Sequence, residues 1–98
     1  MNPEALADLD RLLEHRIRLA ICVLLRKQDR INFTRFKTLL DQTDGSLGAQ
    51  LRKLEDAGYI SAEKTFEARK PVTWYALTET GTQALARHVD AMQALLGT

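Results

Sequence analysis

Two short stretches carry side chains that could do chemistry. The first, "DGSLGAQLRKLEDAG", places Ser46, Gln50, Arg52 and Lys53 within eight residues of one another. A glutamine amide can offer a donor and an acceptor together, the pattern that adenine presents in a major groove. A serine hydroxyl can bond a base edge or a phosphate, and arginine and lysine suit phosphate or guanine. Between them, Gly48 and Ala49 carry no hydrogen-bonding side chain, although Ala49 could touch a thymine methyl. Gly48 inside a helix costs about 1 kcal/mol relative to alanine. The second stretch, "RKP", sets Arg69 and Lys70 before a stiff Pro71. Bases on such a tip reach phosphates or a narrow minor groove.

Catalytic and metal chemistry find little support. The chain has two histidines and one cysteine. His15 and His88 both fall in helical patterns with no partner at metal-ligand spacing, so no metal and no cofactor are expected. No Ser/His/Asp set, carboxylate pair or glycine-rich phosphate loop stands out, and the reading is of a protein that is not an enzyme. Cys22, inside "LAICVLL", reads as a small buried hydrophobe. A single cysteine fits a reducing cytoplasmic setting. The N-terminal "MNPEALADLD" lacks the basic cluster of a signal peptide, and the run from Leu19 to Leu25 is too short to cross a bilayer.

Size and charge bound the rest. Ninety-eight residues suit one domain spanning 1–98. Hydrophobic residues make up 45% and charged residues 28%, a balance that argues against disorder. The net charge is +1. A nucleic-acid partner would therefore be met by a few placed charges rather than a broad positive field.

The elements that position these groups follow from spacing. Residues 3–27 read as one helix, with Leu6, Leu9, Leu13, Ile17, Ala20 and Leu24 in a single stripe. "RINF" reads as a short strand. Thr34 is expected to cap the next helix, "RFKTLLD", and Thr43 or Asp44 the one after it, which runs to about Ala57. Gly58 sits where a left-handed residue closes a helix. In that third helix Leu47, Leu51 and Leu54 recur at i, i+4 and i+7, so the polar set lies on the opposite face. "YISAEKTFEA" and "VTWYALT" read as a hairpin with "RKP" at its tip, Trp74 and Phe66 stacking across it. Thr78 caps a long final helix. The chain is thus mainly α with a small β hairpin: helix, short strand, helix, helix, hairpin, long helix.

Two helices joined by a short turn form a helix-turn-helix, whose second member can enter a major groove. An amphipathic helix alone, or a basic turn alone, is commonplace; the two in this order are more specific. "HRIRLAICVLL", "INFTRFKTLLDQTDGSLGAQLRKLEDAGYI" and "RKPVTWYALTETG" together resemble the winged helix-turn-helix transcriptional regulators, near the MarR-like and ArsR-like groups and the small stand-alone members of about this length. "LRKLEDAGYI" followed by "YALTETG" is the most specific pairing. The resemblance spans about Arg16 to Gln93. It implies a three-helix core, a two- to three-stranded wing and a homodimer on pseudo-palindromic operator DNA. By position it implies that Ser46, Ala49, Gln50 and Lys53 face bases or nearby phosphates, with Arg52 beside them. Thr34 and Arg35 would touch backbone, and Arg69 and Lys70 would be the wing contacts.

The chain ends suggest self-association. Leu85, Val89, Met92 and Leu96 follow heptad-like steps in the last helix. Together with Leu6, Leu9 and Leu13 they are expected to build a twofold interface. Such a dimer would set two recognition helices about 34 Å apart, one turn of DNA. His15 and His88 could meet across it as a pH-sensitive pair. A small apolar effector in the dimer cleft is compatible with this reading, but no residue cluster identifies one. The competing reading is a protein-interaction module with weak or no DNA binding, favoured by the near-neutral charge and the bland "SLGAQ" surface.

Overall fold

The computed structural model describes residues 2–97. The first 27 residues depart from the single helix expected. Pro3–Asp8 and Arg11–Glu14 are separate 3-10 turns, and only Arg16–Lys27 (α1) is α-helical. Leu9 and His15 break the run in extended conformation. Asp10, just after the first break, and His15, at the second, cap the next piece: Asp10 accepts from the Leu12 amide at 2.9 Å and His15 from the Ile17 amide at 3.2 Å. Helical spacing of leucines could not reveal this, because short side chain-to-backbone bonds compete locally with a continuous helix.

Next come Ile31–Asn32 (β1), Phe33–Leu40 (α2) and Asp44–Asp56 (α3). Asn32, not Thr34, caps α2, its Oδ1 accepting from the Arg35 amide at 2.8 Å. Thr34 therefore lies inside the first turn, exposed. Asp41, at φ 50°, ends α2. Thr43 caps α3 as expected, accepting from the Ser46 amide at 3.2 Å, and Gly58 follows it at φ 78°. Leu47, Leu51 and Leu54 are all buried. Each such side chain contributes about 1.5–3 kcal/mol through removal from water.

Ile60–Glu67 (β2) and Lys70–Leu77 (β3) form the hairpin, and the sheet order is β1-β3-β2, all antiparallel. Ile31 pairs with Tyr75, and Ile60 with Leu77. Tyr75 reaches into the helices, its ring 6.2 Å from that of Phe36. The two-residue tip is Ala68–Arg69, both at positive φ, so Lys70 and Pro71 belong to the strand rather than to the turn. In such a hairpin the flanking pair Glu67–Lys70 carries the ladder bonds and the next pair, Phe66–Pro71, does not, so proline costs no hydrogen bond there. Trp74 pairs with Glu63, which puts it on the opposite face from Phe66. The expected stack between them does not form. Trp74 lies instead under Arg30, whose guanidinium is 4.1 Å from the ring centroid, a cation–π arrangement.

Thr78 caps Glu79–Leu96 (α4) through the Gly81 amide at 3.0 Å and also donates to the Gly58 carbonyl at 2.6 Å. The first 3-10 turn packs on α4, and the Asn2 amide donates to the Ala94 carbonyl at 3.1 Å. Asp10 ties three parts of the chain together. Its carboxylate caps the second 3-10 turn and accepts from the Tyr59 hydroxyl, while its amide donates to His88 Nδ1 at 2.9 Å. Burial first, then the bond to Asp10, pushes the Tyr59 phenol up to about 12, so it remains a donor. His88 is buried in its own protomer, which leaves no ring surface for the pairing with His15 expected across a dimer. Among the described residues, no helix is long and apolar enough to cross a membrane.

Candidate nucleic-acid interface

α3 is the second helix of a helix-turn-helix, backed by its three leucines onto α1 and α2. A 2.8 Å ion pair from Lys37 to Asp44 ties the end of α2 to the start of α3. Both partners are exposed, so the pair fixes orientation more than it adds stability.

The face of α3 turned to solvent runs through Gly45, Gly48, Ala49, Arg52 and Asp56, flanked by Asp44 and Lys53, and forms a shallow depression. A Cβ at Gly45 or Gly48 would meet no atom within 4 Å. Another surface can therefore approach the α3 backbone closely along this stripe. Ala49, Arg52 and Lys53 are all exposed, as the sequence reading requires.

Gln50 differs from that reading. It is half-buried, and its Oε1 accepts from Arg18 Nη1 on α1 at 2.6 Å. Arg18 is itself held by a 2.6 Å bond from Nε to the Leu12 carbonyl. One of the two lone pairs of the Gln50 carbonyl is thus engaged inside the protein, which holds the amide against α1. A bidentate contact to adenine needs both halves of the amide turned to the base. Ser46 is exposed, but its hydroxyl donates to Gln42 Oε1 at 2.9 Å. Lys53 lies along the same flank of α3. With Arg18 and Arg16 it lowers the pKa of His15, after desolvation by burial, which is the larger cause.

The molecule is elongated, 53 × 25 × 21 Å, and the strand residues toward the hairpin tip are exposed. Arg69 and Lys70 stand exposed at the free end of the hairpin. At its base, a recess lined by Asn32, Thr34, Lys64, Pro71 and Thr73 separates the hairpin from the start of α2. Thr34 and Arg35 are exposed in that first turn.

Arg18, Lys64 and Phe66 were not anticipated as parts of this surface. Strand alternation could have placed Lys64 and Phe66 on a common face once the hairpin register was known. No local signal marks Arg18, whose partner is 32 residues away.

Of the residues expected at a twofold contact, Leu13 and Leu85 are each 1% exposed within the protomer's own core. They have no surface left to offer a second copy, because the broken N-terminal segment folds back onto α4 and fills that seam itself. Leu9, Val89 and Met92 are half-buried, and Leu6 and Leu96 are exposed. Cys22 is fully buried and its thiol is pushed up to about 12, chiefly by burial, so it is an inert packing group. Among the described residues, no group of three or more His, Cys, Asp or Glu is placed to hold a metal ion.

This arrangement has close counterparts. A family model for a winged helix DNA-binding domain matches residues 17–96. The transcriptional regulator homologue protein from Pyrococcus horikoshii OT3 superposes with a TM-score of 0.87 at 26% identity, over 96% of this chain and 95% of that one. The YusO protein from Bacillus subtilis shares the fold at 16% identity and a TM-score of 0.77, over 97% of this chain and 67% of that one. An ArsR family transcriptional regulator does so at 21% identity and 0.64, over 100% of this chain and 96% of that one. No curated protein matches the sequence.

Proposed function

Because the chain belongs to the winged helix DNA-binding domain family, we propose that it is a transcriptional regulator that occupies operator DNA as a homodimer. One domain spans the chain, and its two ends supply the twofold contact through Leu6, Leu9, Met92 and Leu96. The observation that supports the reading is the bare stripe of α3, open to close approach, in a chain whose exposed hairpin tip carries two bases. α3 enters the major groove, where Ala49 and Arg52 lie nearest the bases. Thr34, Arg35 and Lys53 take backbone phosphates, and Arg69 and Lys70 follow the backbone or the adjacent minor groove. Small residues on the helix offer little base readout, so phosphate contact makes the larger part of affinity.

A gel shift of the full chain on genomic fragments at two salt concentrations tests this. Binding should weaken steeply with salt. Replacing both Arg69 and Lys70 by alanine should flatten the slope by up to about 2 per bound protomer. An unchanged slope would remove the wing from the interface. In sedimentation, Leu6→Asp with Leu96→Asp should shift the chain from dimer to monomer.

A second reading, a protein-interaction module, draws on one observation. The α3 stripe carries Asp44 and Asp56 against Arg52 and Lys53, so it is close to neutral. No shift on any fragment at low salt, together with a stable protein partner in a pull-down, would establish that reading over the first.

A further inference from the structure

Near the free end of the hairpin, Phe66 stands opposite Pro71. Phe66 is 78% exposed, more than any other large hydrophobic among the described residues. Isolated exposed apolar side chains are ordinary on soluble domains. This one is set apart by its surroundings. Strand alternation places Lys64, Phe66, Pro71 and Thr73 on one face of the hairpin. At the base of the hairpin, the same face carries Ile60 and Tyr75 into the core.

The other face carries both acids of the hairpin, Glu63 directly opposite Trp74 and Glu67 nearer the tip. Glu67 is held there by bonds from Trp74 Nε1 at 2.7 Å and Thr65 Oγ1 at 3.2 Å. The arm is therefore two-sided. One side is acidic. The other is free of acids, holds a lysine and an apolar pair, and looks across a recess toward Thr34 at the start of α2. Pro71 lies four residues beyond Tyr75, about 13 Å along the strand, so the apolar pair stands clear of the core.

We propose that the Phe66 face of the wing is its DNA-binding face, and that Phe66 acts as an apolar wedge at one base step of the minor groove. Lys64 and Arg69 take the phosphates on either side. This rests on the DNA-binding reading above and adds to it the orientation of the arm and a source of sequence preference. A polyanion meets two carboxylates on the Glu63–Glu67 side and none on the Phe66 side, where Lys64 is the charged strand residue. A phenyl ring pressed between base pairs leaves water for an apolar surface. The unstacking it requires is easiest at pyrimidine–purine steps, so those steps should recur where the wing lands.

The test uses the full chain and a short duplex recovered from random DNA by repeated binding to it, with 2-aminopurine substituted in turn at each adenine. Wild type should brighten the probe at one pyrimidine–purine step per wing. Phe66→Ala should abolish the brightening and weaken binding roughly tenfold. The salt slope should stay unchanged, since no charge is removed. Phe66→Met should keep most of both signals, and melting temperatures should match because the side chain is exposed. Binding and probe signal unaffected by Phe66→Ala would overturn the wedge while leaving the DNA-binding reading intact. Failure of wild type to bind any duplex at low salt would remove that reading and the wedge with it. A change in self-association alone, with affinity for DNA unaltered, would assign Phe66 to a second copy and overturn the proposal.

Discussion

Arg18 of α1 donates to the Gln50 side-chain carbonyl of α3 at 2.6 Å, so the first helix of the core holds a side chain of α3 in place. The same guanidinium bonds the Leu12 carbonyl in the N-terminal segment. One residue thus joins the chain's N-terminal arm to the helix proposed to meet DNA.

Arg18→Met should release the Gln50 carbonyl. The amide is then free to turn both of its halves to a base, and a preference for adenine at one base pair should emerge, about 1–3 kcal/mol of discrimination. Adding Gln50→Ala should erase it. Folding stability should fall by about 1.5–3 kcal/mol in the single variant, from loss of a charge-assisted bond. Base-substitution series on a bound duplex, with thermal melts alongside, measure both. An Arg18→Met protein with wild-type base preferences would show that Gln50 does not reach the bases.

Two glycines should respond in opposite directions. A methyl at Gly81 would overlap the Tyr59 carbonyl oxygen and crowd its backbone, where α4 begins against the end of the α3 turn. Gly81→Ala should cost about 3 kcal/mol, since backbone cannot yield as a side chain can. Gly48 has open space around it. Gly48→Ala should gain about 1 kcal/mol of stability, yet weaken DNA binding by holding the α3 backbone off the groove. Denaturant melts and gel shifts of the two variants separate these effects.

The wing turn holds two non-glycine residues, Ala68 and Arg69, at φ 51° and 66°. Left-handed backbone costs an ordinary L-residue about 1–2 kcal/mol. Ala68→Asn, the residue favoured at the first position of such a turn, should raise stability by about 1 kcal/mol. That corresponds to roughly 4–8 °C in Tm for a chain of this size. Scanning calorimetry checks it, and DNA affinity should hold because Arg69 is untouched.

His15 supplies a pH dependence of defined sign. Burial, then Arg18, Lys53 and Arg16, place its folded pKa below the ordinary value of 6.5, and its Nδ1 must be unprotonated to cap α1. Between the folded and unfolded values the unfolded chain binds more protons. The contribution of His15 is therefore complete above 6.5 and is lost as the pH falls through the lowered folded value. His15→Asn keeps a cap acceptor without the titration, so its stability should fall less than that of wild type on acidification. Urea melts at stepped pH make the comparison, and parallel curves would remove His15 as the cause.

Much of the fold was legible in the sequence because its determinants are short-ranged. The leucines of α3 are three and four residues apart, the Thr43 and Thr78 caps act three residues on, and Gly58 closes its helix alone. The same rules led astray at the N-terminus, where leucine spacing fits a continuous helix as well as it fits three capped pieces. Arg69 and Lys70 were found at the tip of the arm from composition and order.

By itself the sequence determined which segments after the first 15 residues are helices and strands, that α3 has a buried face, and that bases end the hairpin. Tertiary structure decided which polar groups on α3 remain available, which side of the wing carries acid, and which terminal leucines are already used inside the protomer. Those outcomes depend on partners such as Arg18 for Gln50, 32 residues apart, and Asp10 for His88, 78 apart. Nothing in local spacing encodes such pairs. They exist only once hydrophobic burial has brought distant segments together, and each polar group then bonds to whatever neighbour the packing supplies.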